Sequence, residues 1–181
     1  MYGESVKIPL ARIGVLIGKH GETKKMLENE GHVKISISKD GVVSISGDGD
    51  SVYFAAEVVK AIGRGFNPLI AKKLFNEDYS LEVIDLHDFY NTKNAIVRIK
   101  GRVIGEKGRI REAIEKATDS NISVYGDTVS IIAPYYTMPY AKEAVEKLIR
   151  GARHSTVERF LARAREELMY IKLKGGKHGY V

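Results

Sequence analysis

One phrase occurs twice in this chain and limits what it can fold into. Leu16-Ile17-Gly18-Lys19-His20-Gly21-Glu22 returns as Val103-Ile104-Gly105-Glu106-Lys107-Gly108-Arg109, with the glycine pairs 87 residues apart. Each copy runs two apolar residues, glycine, two polar residues and glycine, then a helix-like stretch (Thr23 to Asn29, Ile110 to Thr118). At the same offset Ile35-Ser36-Ile37 matches Ile122-Ser123-Val124, so a whole supersecondary unit is repeated. With 181 residues to divide, the repeat predicts two units of about 90 residues each.

The element order follows from periodicity and breakers. Ser5 to Leu10 alternates as a strand, and Ala11 to Ile17 reads as a short helix ending at Gly18. A second helix runs from Glu22 to Gly31. Val33 to Ser38 and Val42 to Ser46 form a hairpin around Asp40-Gly41, and a helix capped by Asp50 or Ser51 reaches Gly63. In the second unit the spacing predicts a strand over Ala95 to Lys100, a brief helix over Arg102 to Ile104 and a helix over Arg109 to Ala117. Strands over Asn121 to Tyr125 and Thr128 to Ala133 and a closing helix over Met138 to Ile149 complete it. Between the units Asn67-Pro68 opens a short helix to about Phe75, and Ser80 to Asp85 looks extended. This connector is apolar enough that the two units should pack together. After Gly151, Ser155-Thr156-Val157-Glu158 reads as a capping box. Its helix carries Val157, Phe160, Leu161, Ala164, Leu168 and Ile171 on a docking face and leaves Arg159, Arg163 and Arg165 to solvent or phosphate. Lys174 to Val181 reads as a basic, glycine-rich, disordered tail. The expected division is 1–66, a connector 67–93, 94–150, and a C-terminal helix with tail over 151–181.

Charge is distributed unevenly within the net +6. Residues 1–90 carry 11 Lys+Arg against 13 Asp+Glu, residues 91–149 carry 10 against 7, and residues 150–181 carry 8 against 3. A polyanion held by counterion release should therefore lie mainly on the second unit and the tail. Cysteine is absent, which excludes disulfides, cysteine-bearing zinc sites and cysteine nucleophiles. No apolar run approaches the ~18 residues of a membrane span, and the first apolar stretch lacks signal-peptide character. A cytoplasmic protein without membrane attachment is expected. No nucleophile with its base, paired carboxylates or metal-ligand run is evident, so neither an enzyme nor a cofactor or metal site is expected. Asp85-Leu86-His87-Asp88 reads as a solvated turn.

A helix-GxxG-helix turn lets backbone approach a ligand, because neither glycine has a Cβ. The following helix aims its N–H groups and positive dipole end at the same point, where a phosphate fits. Gly18, Gly21, Gly105 and Gly108 supply the turns, while Lys19, His20 and Lys107 supply donors. Lys24, Lys25, Arg102, Arg109 and Arg111 add charge, and Arg98 and Lys100 belong to the same run. Ile17 and Ile104 should floor a groove walled by the middle strand through Ile35 and Ile122. Such a groove clamps about four unpaired nucleotides. Tyr135, Tyr136 and Tyr140 either stack bases or pack between the units.

Both units resemble KH domains, which share this strand-helix-GxxG-helix-strand-strand-helix order and the (V/I)-I-G-x-x-G phrase. Only about ten residues precede the first helix, so the type I arrangement is the one that fits. The resulting expectation is an α+β protein of two tandem type I KH domains, each β-α-α-β-β-α with an antiparallel three-stranded sheet and helices on one face, plus a C-terminal helix. Basic Lys24 and Arg111 stand where KH domains usually carry isoleucine. With the Gly65-Phe66 and Leu81-Glu82-Val83-Ile84-Asp85-Leu86 connector and Gly151-x-x-His154-Ser155, they make the chain resemble the archaeal counterpart of the eukaryotic "partner of Nob" ribosome-assembly factors. That resemblance implies binding of single-stranded small-subunit rRNA near its 3′ end. It also implies a Nob-type endonuclease and the alpha subunit of translation initiation factor two as partners. Glu106 departs from a purely basic loop, and the first loop is intact where eukaryotic relatives lack it. A protein-binding scaffold with vestigial loops is the alternative.

Overall fold

The computed structural model describes residues 2–174; the tail expected beyond Lys174 lies outside the described residues. Strand β1 (Tyr2–Lys7) leads to helix α1 (Leu10–Ile17), a tight turn, and helix α2 (Glu22–Gly31). Strands β2 (Lys34–Ile37) and β3 (Val42–Gly47) and helix α3 (Gly49–Gly63) close the first unit. The second contains β4 (Tyr79–Asp85), α5 (Lys93–Ile104), α6 (Arg109–Thr118), β5 (Asn121–Tyr125), β6 (Thr128–Pro134) and α7 (Met138–Ile149). Helix α4 (Pro68–Ala71), continued by a 3₁₀ turn to Phe75, links the units, and α8 (His154–Leu173) follows the second. Each unit has an antiparallel three-stranded sheet, in the orders β1-β3-β2 and β4-β6-β5.

The two sheets correspond strand for strand. Val6 pairs with Val43 and Ile84 with Val129, so these first strands lie 78 residues apart, not 87. Nine additional residues therefore separate the first strand of the second unit from its glycine loop. Their presence corrects the expected strand over Ala95 to Lys100, which carried the 87-residue offset back past the insertion. That segment lies in α5, a 12-residue helix absorbing the brief one expected over Arg102 to Ile104, and Ile96, Ile99 and Val103 are buried at helical spacing. Thr92 caps it, its Oγ1 accepting from the Ala95 amide at 3.2 Å. The extended segment assigned to the connector is instead the first strand of the second sheet.

The remaining elements follow the expected order with small shifts. Asn67 caps α4 as anticipated, its side chain accepting from the Leu69 amide at 2.8 Å. Two other caps are corrected. Helix α3 starts at Gly49 after an extended Asp48, so neither Asp50 nor Ser51 stands at the N-cap. Helix α8 starts at His154, placing Ser155 inside the first turn and dissolving the expected capping box. Its apolar face docks as predicted through Val157, Leu161, Ala164 and Leu168, but Ile171 is exposed.

The units share apolar surface. Strand β6 is buried on both faces: Val129, Ile131 and Ala133 point into the second core, and Ile132 packs with the first. Ser123 Oγ donates to the Arg64 carbonyl at 2.8 Å, and Lys73 Nζ donates to Asn121 Oδ1 at 2.8 Å. Arg12 binds the end of α3 by donating from Nε to the Ile62 carbonyl (2.7 Å) and from Nη2 to the Phe66 carbonyl (2.8 Å). The same guanidinium lies over the Tyr125 ring at 5.6 Å.

Candidate nucleic-acid interface

The two glycine turns have nearly the same geometry. Gly18 has φ 73 and ψ 176, and Gly105 has φ 75 and ψ 175. That region of φ/ψ space is open essentially to glycine alone. Packing makes the same demand, since a Cβ at Gly18 would collide with Thr23 Oγ1 and one at Gly105 would sit 2.6 Å from Ile110 Cγ2. The left-handed conformation that commonly ends a helix lies not at Gly18 but at the second glycines of the turns, Gly21 and Gly108. His20 and Lys107 are non-glycine residues with φ of 53 and 52, and their side chains are exposed. The N-caps of α2 and α6 are Gly21 and Gly108, so neither helix start has a side-chain cap from that residue. A clip is repeated too: Glu28 Oε1 accepts from the Ile35 amide and Glu115 Oε1 from the Ile122 amide, both at 2.8 Å. The matching acids, 87 residues apart, were the sequence signal for it.

Beside the first turn is a cleft of about 520 Å³ lined by Leu10, Ile13, Gly14 and Ile17 from α1 and by Ile37, Ser38 and Lys39 across from them. Ile17, expected as a groove floor, is one of its lining residues. Its other wall is displaced from the prediction: Ile35 and Ile122 are only 3% and 6% exposed and belong to the two cores. The strands that carry them are sheet edges, not middles. Ile37 lies two residues on along the same strand face, where that face emerges from the core. Leu10 and Ile13 precede Ile17 by seven and four residues, a helical spacing that would have revealed them.

The cations around the second turn divide by what they touch. Arg98, Lys107 and Arg109 are exposed, as is Glu106, whose carboxylate opposes a phosphate there. Arg111 Nε is buried without a hydrogen-bond partner among the described residues, and its Nη2 would be 3.7 Å from a Cβ on Gly108. Arg102 is occupied otherwise. Its Nη2 donates to the Ala152 carbonyl at 2.7 Å, and His154 Nε2 lies 3.1 Å from the Arg102 carbonyl. These bonds hold the start of α8 against α5, and Arg153 and Arg159 beside it are exposed. Lys100 Nζ donates to the Gly126 carbonyl at 2.9 Å and lies 3.5 Å from Asp127. In the first unit Lys24 pairs with Glu28 at 3.6 Å, while Lys19 and Lys25 are exposed.

The other groups singled out in the sequence have local roles. Asp85 accepts from the His87 amide at 2.9 Å, and His87 Nε2 pairs with Asp127 at 3.0 Å. The His87 bond holds the Asp127 carboxyl below the usual carboxylate range, with Lys100 adding to the effect. Among the described residues no three His, Cys, Asp or Glu side chains gather as a metal site. Tyr140 donates to Glu167 at 2.9 Å, joining α7 to α8, and Tyr135 is exposed. Among the described residues no helix is long and apolar enough to cross a membrane.

Known proteins share this arrangement. Residues 3–61 match the KH domain and residues 80–166 the eukaryotic-type KH domain (KH-domain type I). A KH domain-containing protein of Methanocaldococcus jannaschii is 49% identical over 170 residues, covering 91% of this chain and 75% of that protein. The chain belongs to the archaeal two-KH-domain family that includes Dim2p. Crystalline Dim2p from Pyrococcus horikoshii superposes with a TM-score of 0.85 at 45% identity, over 90% of this chain and 99% of that one. The same family member in a complex of a/eIF2alpha, aDim2p and rRNA superposes with a TM-score of 0.86 at 44% identity, over 92% and 95%. Its archaeal members are homologues of the eukaryotic partner-of-Nob factors, as the resemblance implied.

Proposed function

We propose that this KH protein binds single-stranded RNA of the small ribosomal subunit during its assembly, with the second glycine turn as the principal phosphate clamp. The observation that carries this reading is the turn itself, where two glycines in positive-φ conformations lead into a helix whose N-cap residue has no side chain, with exposed Lys107 and Arg109 in the same stretch and Arg111 Nη2 close to Gly108. The anchored start of α8 extends the cationic surface through Arg153 and Arg159. The rRNA held beside a similar chain in the archaeal complex supports the same reading. The segment bound is the 3′ end of the small-subunit rRNA, and the work is done in the cytoplasm without catalysis.

The first unit has a different character. Residues 1–66 are close to neutral, with 9 Lys+Arg against 8 Asp+Glu, and the open cleft there is walled by leucine and isoleucine. That favours a protein partner there, with Lys19 and His20 as an auxiliary RNA clamp. The initiation-factor alpha subunit and a Nob-type endonuclease are the candidates.

Binding to a 3′-end rRNA fragment should weaken steeply as salt rises, because each neutralised phosphate releases counterions. Lys107→Asp with Gly108→Asp should reduce affinity at least tenfold in a fluorescence-anisotropy titration while circular dichroism stays unchanged. Salt-insensitive binding, or a double variant that binds like the parent, would favour the scaffold reading.

A further inference from the structure

Helix α8 runs on past the surface it docks against. Val157, Leu161, Ala164 and Leu168 recur at helical spacing and are buried, but every residue from Met169 to Lys174 is exposed. Among them are Met169, Tyr170, Ile171 and Leu173, large apolar side chains crowded into one helix end. Single exposed apolar residues are ordinary, whereas a cluster of them marks an interaction site.

Beside this end of α8, where it meets the start of α7, is a groove of about 440 Å³ lined by Tyr140, Glu166, Glu167, Tyr170 and Ile171. Its carboxylates contrast with the sequence around them. Residues 150–181 carry 8 Lys+Arg and 3 Asp+Glu, and two of those three acids line the groove. Tyr140 donates to Glu167 Oε2 at 2.9 Å, which ties that carboxylate to α7. Glu166 has no hydrogen bond or ion pair among the described residues. Tyr170 already takes a cation on its ring, with Lys174 Nζ 4.5 Å from the centroid. An aromatic ring has two faces, and each attracts positive charge.

We propose that this groove and the end of α8 form a docking site for a partner protein, which inserts an arginine flanked by large apolar side chains. Carboxylates accept the guanidinium fork in a bidentate bond, and tyrosine faces stack on its plane. A nucleic-acid phosphate would meet like charge at Glu166 and Glu167, so the groove selects protein over RNA. The apolar helix end offers more contact than a free cation could use, which is why the occupant is a chain segment. The site uses no residue of either glycine turn and is independent of the RNA-binding reading.

The test is an NMR titration of the isotope-labelled full chain with the peptide acetyl-Leu-Arg-Leu-amide. Amide shifts should be confined to the neighbourhood of Tyr140 and to Glu166 through Leu173. Replacing the arginine by citrulline, which keeps its shape and removes its charge, should weaken binding about fivefold, the combined scale of an exposed ion pair and a cation–π contact. Glu166→Gln with Glu167→Gln should do the same, and the second change keeps an acceptor for the Tyr140 hydroxyl, so the packing of α7 on α8 is preserved. Absence of binding, shifts spread beyond the groove, equal binding of the arginine and citrulline peptides, or a double variant that binds like the parent overturns the inference. Spermidine acting on the same resonances at lower concentration than the peptide also overturns it, making the groove a polyamine site. Shifts that arise only in a chain ending at Lys174 would assign the groove to residues 175–181 of this chain and exclude the partner.

Discussion

At the scale of single residues, the turns need glycine at their two positions for different reasons. Gly105 combines φ 75 and ψ 175 with a Cβ position only 2.6 Å from Ile110 Cγ2. Gly108 is left-handed and has space around it, its nearest neighbour being an arginine end at 3.7 Å. Gly105→Ala should therefore destabilise the protein by about 1–3 kcal/mol through strain alone, with the close contact adding to it. Gly108→Ala should cost about 1 kcal/mol. Urea denaturation of the two variants measures the difference, and equal losses would remove the distinction. The exposed left-handed residues between the glycines, His20 and Lys107, carry strain of their own, which persists where the surroundings over-determine the backbone.

At the scale of elements, α8 is fastened to the second unit at its start, where Arg102 bonds the Ala152 carbonyl and His154 meets the Arg102 carbonyl. The Arg102–Ala152 bond involves a charged donor in a partly buried setting, worth about 1.5–3 kcal/mol. Arg102→Met should free the start of α8, seen as faster amide exchange over residues 153–157, and leave the salt dependence of RNA binding with the slope of the parent. A slope reduced by about one unit without faster exchange would make Arg102 a phosphate contact instead. The edge strands show the same economy of means. The Glu28 and Glu115 clips tie β2 and β5 to the helices behind the turns, so each strand is carried with its loop.

At the scale of the whole molecule, the two units form one body through β6, whose alternate side chains serve both cores. Ile132 is the clearest case, 1% exposed and packed with residues of the first unit. Ile132→Ala should cost about 2–5 kcal/mol. The parent should melt in a single calorimetric transition; separate transitions for the two halves would show that the shared strand does not couple them. This union also makes the halves unequal. The outer side of β5 is covered by Arg12, Arg64 and Lys73, whereas the cleft beside β2 stays open.

Local physics made much of this legible in the residues. The glycine phrase, its repetition and the alternating or helical apolar patterns dictate the turns, the element types and the pairing of the units, since backbone freedom and periodicity act within a few positions. The insertion before α5 was hidden, because a constant 87-residue offset assumes equal connections and nothing in a loop's composition requires them. Side chains with one appearance in sequence acquired separate roles only on folding. Arg98 and Arg109 remain exposed, Arg102 fastens a helix and Lys100 bonds the Gly126 carbonyl. Ile35 and Ile37 look interchangeable in an alternating strand, yet one fills a core and the other walls the cleft. Charge and hydrophobicity belong to the residue, but the partner that meets them is set by what tertiary packing brings within a few ångströms.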